Sequence, residues 1–217
     1  MNIETARFNM IEQQIRTWDV LDQSVLDLLG RVKREEFVPP EYQSLAFVDT
    51  GIPLPHGQNM LPPKLEARIL QELGVMPDDE VLEIGAGSGY MAALLAYKAR
   101  HVTTIELIGE LKEFAESNLE RADIRNVTVL QGDGALGFPA AGEVDVLMVS
   151  GSLPILPKSL PEQLRIGGRM AVFLGDAPVM TARIIRRTGA DTWETETLFE
   201  TSVKPLINAP QPSRFTF

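Results

Sequence analysis

Apolar positions along the chain follow two successive rhythms. Over residues 4–16, Phe8, Ile11 and Ile15 recur at helical spacing, and Glu12 and Arg16 stand four apart for a surface pair. Residues 23–33 repeat the pattern through Val25, Leu28, Leu29 and Val32, behind a capping Asp22. Both stretches predict amphipathic helices. FVPPEY and DTGIPLPHGQ then crowd prolines and glycines too densely for regular structure, which predicts a loop.

From Lys64 the rhythm changes. Leu65, Ile69 and Leu73 predict a helix stopped by Gly74, after which EVLEI, VTTIE, NVTVL, VDVLMVS and RMAVFLG form short, β-branched, nearly continuous apolar runs. Helical segments such as GYMAALLAYKA and ELKEFAESNLERA lie between them. Strands buried on both faces and alternating with helices predict an α/β fold with a doubly wound, mostly parallel sheet. The segment WETETLFETSVKPL predicts one or two further strands, antiparallel at the sheet edge, followed by a Pro-rich tail. Residues 1–63 form a helical extension and loop of the same domain, and residues 64–217 its core.

Composition narrows the setting. With 217 residues, 44% of them hydrophobic, the chain can bury one sizeable core, or one core and a small appendage. No apolar run reaches the roughly 18 residues a membrane span needs, and Glu4 and Glu12 interrupt the opening where a secretion signal would be apolar. The expectation is a cytoplasmic protein with no membrane partner. Without cysteine there is neither disulfide nor thiolate chemistry. A net charge of −10 repels polyphosphates, so no nucleic-acid partner is expected. The short RIIRR at 183–187 reads as a solvated helix or strand edge. No Asp/Glu/His cluster has metal-ligand spacing, and no metal is expected.

The strongest chemical signal is EVLEIGAGSGY. Gly85, Gly87 and Gly89 stand where a first strand turns into a helix, which suits either an ordinary tight turn or a turn that brings backbone amides to a ligand. Glu106 ends the second strand, as a solvated charge or as an acceptor for ribose hydroxyls. Asp133 and Gly134 follow the third, as an Asp-Gly turn or beside an adenine edge. The dinucleotide fingerprint G-x-G-x-x-G/A fails here, because Tyr90 takes the position that should be small. Glu83 just before the turn would repel a pyrophosphate yet suits a cationic amino acid moiety. S-adenosylmethionine, an adenosine with a sulfonium and an ammonium and no phosphate, meets these conditions.

LEIGAGSGY followed by IE and GDG resembles the class I S-adenosylmethionine-dependent methyltransferases, which carry a seven-stranded Rossmann-like sheet. MIEQQIR, REEFVPPEYQSLAFVDTGIPLPHGQ, VLEIGAGSGY, NVTVLQGDG and PEQLRIGGRM resemble one branch of them, the protein-L-isoaspartate (D-aspartate) O-methyltransferases. The resemblance implies a protein-repair enzyme that methylates the carboxylate of isoaspartyl residues in proteins or peptides. It assigns donor binding to Glu83, Gly85, Ala86, Gly87, Ser88, Gly89, Glu106, Leu107, Asp133 and Gly134. It also makes His56, Gly57, Gln58, Asn59, Met60 and Leu61 the wall of the acceptor pocket. The family continues HGQ with Thr-Ile-Ser-Gln-Pro, so Leu61 stands at its serine, close to the acceptor carboxylate. Leu61 itself is expected to pack in the core, with Pro62 and Pro63 starting the next helix.

Three other classes compete. An amino-methylase of nucleic acid would carry Asn/Asp-Pro-Pro-aromatic where this chain has VSGSLP, and a nicotinamide-dependent reductase is opposed by the glycine spacing. An S-adenosylmethionine-binding protein with a changed acceptor, or with no methyltransferase activity, is the remaining alternative.

Overall fold

The computed structural model describes residues 2–212, so residues 213–217 of the Pro-rich tail lie outside the described residues. The first helix, α1 (Ile3–Asn9), is capped by the Asn2 side chain and runs directly into a π-helical turn, Met10–Ile15, and a 3₁₀ turn, Arg16–Trp18. The wider π turn re-aims the face that sequence spacing predicts. Met10, Ile11 and Ile15 are buried, Phe8 is 63% exposed, and Arg7 takes a buried place between Glu4 and Glu35. The Glu12–Arg16 pair forms at 2.9 Å. Asp22 caps α2 (Gln23–Arg31), accepting from Ser24 N–H at 2.8 Å.

The Pro/Gly-rich stretch is more regular than expected. Strands β1 (Ile52–Pro53) and β2 (Asn59–Met60) pair antiparallel around a single turn, Pro55–Gly57. His56 and Gly57 both take positive φ, 56° and 67°, and the reversal closes with Leu54 N–H donating to Gln58 O at 2.8 Å. Pro63 then opens α3 (Pro63–Leu73), which Gly74 ends in the left-handed conformation at φ 51°.

The core alternates as expected: β3 (Glu80–Ile84), α4 (Tyr90–Ala96), β4 (His101–Glu106), α5 (Gly109–Arg121) and β5 (Val127–Gln131). Then come β6 (Val144–Leu153), the one-turn α6 (Ser159–Glu162), β7 (Leu164–Asp176), β8 (Val179–Gly189) and β9 (Thr192–Glu200). They form a seven-stranded sheet in the order β5-β4-β3-β6-β7-β8-β9, parallel through β7, with β8 and β9 antiparallel. RIIRR is no solvated edge: it lies in β8 between two strands, with Ile184 and Ile185 buried.

Side chains alternate across β3, so Val81 joins a buried cluster with α3, α4, α5 and the N-terminal helices, while Leu82 and Ile84 face a second cluster with Leu153, Leu160 and Met170. The chain leaves β3 for β4 on one side and later returns to β6 on the other. At such a reversal the carboxyl ends of neighbouring strands diverge and a crevice opens.

One buried cation fastens the extension to this core. Arg34 is fully buried, pairs with Glu66 of α3, donates to Leu61 O at 2.7 Å and lies 5.0 Å from the ring centre of Tyr90 on α4. Burial pushes the Glu66 carboxyl up to about 7, with Arg34 pulling in the opposite direction. Breaking such a pair strands a charge, whereas replacing both members with apolar side chains of similar volume removes the desolvation cost as well. Arg34→Met should therefore lose about 3–5 kcal/mol of unfolding free energy, and Arg34→Met/Glu66→Leu should recover most of it. Urea denaturation of the single and double variants measures both; equal losses would mean that the pair is not a unit.

Candidate functional site

The crevice at the carboxyl ends of β3, β4 and β6 is a concave cavity lined by Gly85, Gly87, Glu106, Asp133 and Ser150, among others. The glycine turn forms one wall. Gly85, Gly87 and Gly89 have φ of 95°, 54° and 82°, which a side chain would strain. Gly85 and Gly87 line the cavity; Gly89 instead starts α4 beneath α5, where an added Cβ would come 3.1 Å from Ala115 O. Ala86 and Ser88 lie at a smaller adjoining cavity with Met60, Glu66, Glu83 and Tyr90.

Glu106 is the best-fixed polar group. Its carboxylate accepts from Gly87 N–H at 2.9 Å and from Ile108 N–H at 3.1 Å, so strand end and glycine turn hold one another. The side chain is buried yet borders the cavity, as does the neighbouring Leu107. At the far end Asp133 accepts from Ala135 N–H at 3.0 Å and from the Asn208 side chain at 2.8 Å. Gly134 must be glycine for packing, because a Cβ there would lie 2.7 Å from Ile84 Cγ2.

Glu83 lies deeper. It is fully buried; Thr104, its register partner on β4, donates to it at 2.7 Å, and Ser150 of β6 donates at 2.8 Å. Burial pushes its carboxyl up to about 8, while the two hydroxyls pull it back. Two donated bonds leave further lone pairs on the carboxylate.

The loop expected to wall an acceptor pocket divides. Gln58, Asn59 and Leu61 line the main cavity, and Met60 the adjoining one. His56 and Gly57 are not among the lining residues: the left-handed turn carries the His56 ring outward, where Nε2 meets Glu110 Oε2 at 2.8 Å. Leu61 is both things at once, 5% exposed within the apolar cluster and part of the wall of both cavities.

Sequence reading missed the strap that closes the remaining side. Residues 203–207 cross the carboxyl end of β6, with Ser152 N–H donating to Lys204 O at 2.9 Å, Leu206 N–H to Ser152 O at 3.0 Å, and the Ser152 hydroxyl to Val203 O at 2.8 Å. A Cβ on Gly151 would lie 2.7 Å from Leu206 Cδ2, so that glycine admits the strap. The apolar Val203 and Leu206 of SVKPL, after the last strand, were the only sequence signal. Ser150 and Gly151 were missed as well, though they occupy a strand end at the reversal point.

The donor set fits a cationic, phosphate-free ligand. Glu106 and Asp133 border the main cavity and Glu83 the adjoining one, and no arginine lines either among the described residues. Among those residues no group of His, Asp and Glu is arranged to hold a metal ion, and no helix is long and apolar enough to cross a membrane.

Comparison with known proteins gives these features a family. The model of the protein-L-isoaspartate(D-aspartate) O-methyltransferase family matches residues 5–209. Protein-L-isoaspartate O-methyltransferase 1 of Rhodopseudomonas palustris (strain HaA2) is 40% identical, over 95% of this chain and 87% of that protein. The protein-L-isoaspartate O-methyltransferase of Staphylothermus marinus is 38% identical, over 94% of this chain and 95% of its own. A Plasmodium falciparum crystal structure, described as a protein-L-isoaspartate O-methyltransferase in complex with S-adenosyl-L-homocysteine, superposes with a TM-score of 0.78 over 95% of this chain and 98% of that one, at 19% identity, a likeness of fold. With the glycine turn, the strand-end carboxylate and the hairpin loop in place, the chain belongs to the protein-L-isoaspartate (D-aspartate) O-methyltransferase family.

Proposed function

We propose that this chain transfers a methyl group from S-adenosylmethionine to the side-chain carboxylate of L-isoaspartyl (D-aspartyl) residues in proteins and peptides. The observation that carries the reading is Glu106, held by Gly87 and Ile108 amides at the mouth of the switch-point cavity. It accepts the ribose hydroxyls. Glu83, Gly85, Ala86, Gly87 and Ser88 hold the amino acid end, Gly89 fixes the turn beneath them, and Leu107, Asp133 and Gly134 flank the adenine.

The bound donor supplies an electrophilic methyl on a sulfonium, a good leaving group. An acceptor carboxylate is already ionised at pH 7, so no residue of this chain needs to remove a proton. The work left to the protein is alignment at near-attack distance and exclusion of water. The β1–β2 hairpin and the 203–207 strap, which meet at Gly57 and Lys204 and both line the cavity, suit that work. Leu61 contributes an apolar wall and no hydrogen bond.

Methyl transfer from labelled S-adenosylmethionine to an isoaspartyl peptide, with its normal aspartyl twin as control, tests the reaction. The isoaspartyl peptide should be strongly preferred. Donor binding without transfer would instead favour the reading in which Leu61 marks a changed acceptor.

Glu106→Ala should weaken donor binding by about 1–3 kcal/mol, the cost of removing charge-assisted bonds. Unchanged affinity by calorimetry would remove Glu106 from the site. Glu83 gives the pH dependence. Its carboxyl stays protonated up to about pH 8 in the unliganded fold, and an adjacent ammonium favours the ionised form. Binding then releases a proton, so donor affinity should rise with pH between about 6 and 7.5, below the range where an α-amino group titrates. Calorimetry in two buffers of different ionisation enthalpy should show proton release in the wild type and none in Glu83→Gln.

A further inference from the structure

Polar side chains around the acceptor side of the cavity are directed at partners within the protein. The Asn59 side-chain amide donates to Met60 O at 3.1 Å and that of Gln58 to His56 O at 3.2 Å. The Ser150 hydroxyl is directed at Glu83. The His56 ring is turned outward to Glu110. Leu61 offers nothing polar. Glu106 and Asp133 carry negative charge toward the cavity, and the whole chain adds a net −10. A carboxylate arriving here meets a repulsive field with one exception.

That exception is Lys204, which among the described residues is the one cationic side chain lining the cavity. Its backbone is fixed from both sides, since Lys204 O accepts from Ser152 N–H while Val203 O and Leu206 N–H are also bonded to Ser152. Its Nζ reaches across to Gly57 O on the hairpin. An ammonium has three protons, so two remain for another acceptor at the point where strap and hairpin meet.

We propose that Lys204 is the specificity-determining residue that receives the acceptor carboxylate, replacing the hydrogen bond that Leu61 cannot make. The assignment rests on the isoaspartyl reading above. In the transfer, an acceptor oxygen forms the new O–CH₃ bond as the C–S bond breaks, the bonding pair stays on sulfur, and the carboxylate becomes a neutral ester with no proton moved. The charge that Lys204 attracts therefore fades along the reaction. Its pairing stabilises the bound acceptor more than the transition state, and the neutral product is released from it. Losing such an interaction raises KM and does not lower kcat.

The test uses the full chain, with direct binding as well as turnover. Lys204→Met should raise KM for the isoaspartyl peptide about fivefold, the size of an exposed ion pair, with kcat within about twofold. The peptide's dissociation constant in the presence of S-adenosylhomocysteine, read by fluorescence anisotropy, should rise to match. Rising salt should weaken peptide binding to the wild type and much less to the variant, and Lys204→Arg should restore most of it. Reduced donor affinity with unchanged peptide binding would overturn the proposal and make Lys204 a latch on the hairpin. Unchanged KM and salt dependence, with an active wild type, would overturn it while leaving the isoaspartyl reading intact. A wild type that binds donor but ignores the isoaspartyl peptide would overturn both.

Discussion

A single guanidinium, that of Arg34, holds together parts of the chain that the sheet alone would leave independent. It reaches from the N-terminal extension to Glu66 on α3, to the Leu61 carbonyl at the end of the acceptor loop, and over the ring of Tyr90 at the start of α4. Those contacts fix the two ends of the site relative to one another: Tyr90 follows the glycine turn, and Leu61 ends the hairpin. Burying an ion pair gains little net stability against an apolar alternative, so its value here lies in position. A planar group with directed donors sets an angle that leucines in the same space would leave soft.

From that anchor the site follows by short steps. The reversal of strand order at β3 opens the crevice, and the positive φ values of Gly85 and Gly87 let the backbone turn without blocking it. Glu106 then ties the turn to the end of the neighbouring strand by accepting hydrogen bonds from two backbone amides, which leaves a carboxylate preorganised beside the cavity. Glu83 supports the same turn from below by bridging hydroxyls on β4 and β6. Much of this polar framework is in place before any ligand arrives, so little ordering cost remains for binding.

Much of this was legible in the sequence because it is local. Strand runs, the Gly74 stop, the Asp22 cap and the glycine turn each depend on residues a few positions apart, where period and conformational preference decide. What escaped depends on distant partners. Phe8 shares helical spacing with Ile11 and Ile15, yet the π turn and the pairing of Arg7 with Glu35 turn it to solvent. His56 reads as pocket wall until Glu110, on α5, draws its ring outward. RIIRR looks solvated until β9 covers the outer edge of β8. The strap at 203–207 is placed by Ser152, a contact that no pattern within SVKPL announces.

The charge distribution unites the donor and acceptor halves of the cavity. The negative charge of Glu106 and Asp133 beside the cavity suits a ligand with a sulfonium and an ammonium and opposes an anionic one. An enzyme that joins a cation to a carboxylate must therefore keep the two fields apart within one cavity. In this chain the acidic groups lie in β3, at the end of β4 and just after β5, while Lys204 stands on the strap with its ammonium against the hairpin. Because transfer removes the acceptor's charge, Lys204 loses its hold on the ester product, while the ammonium and ribose of the spent donor, unchanged by the reaction, keep their partners.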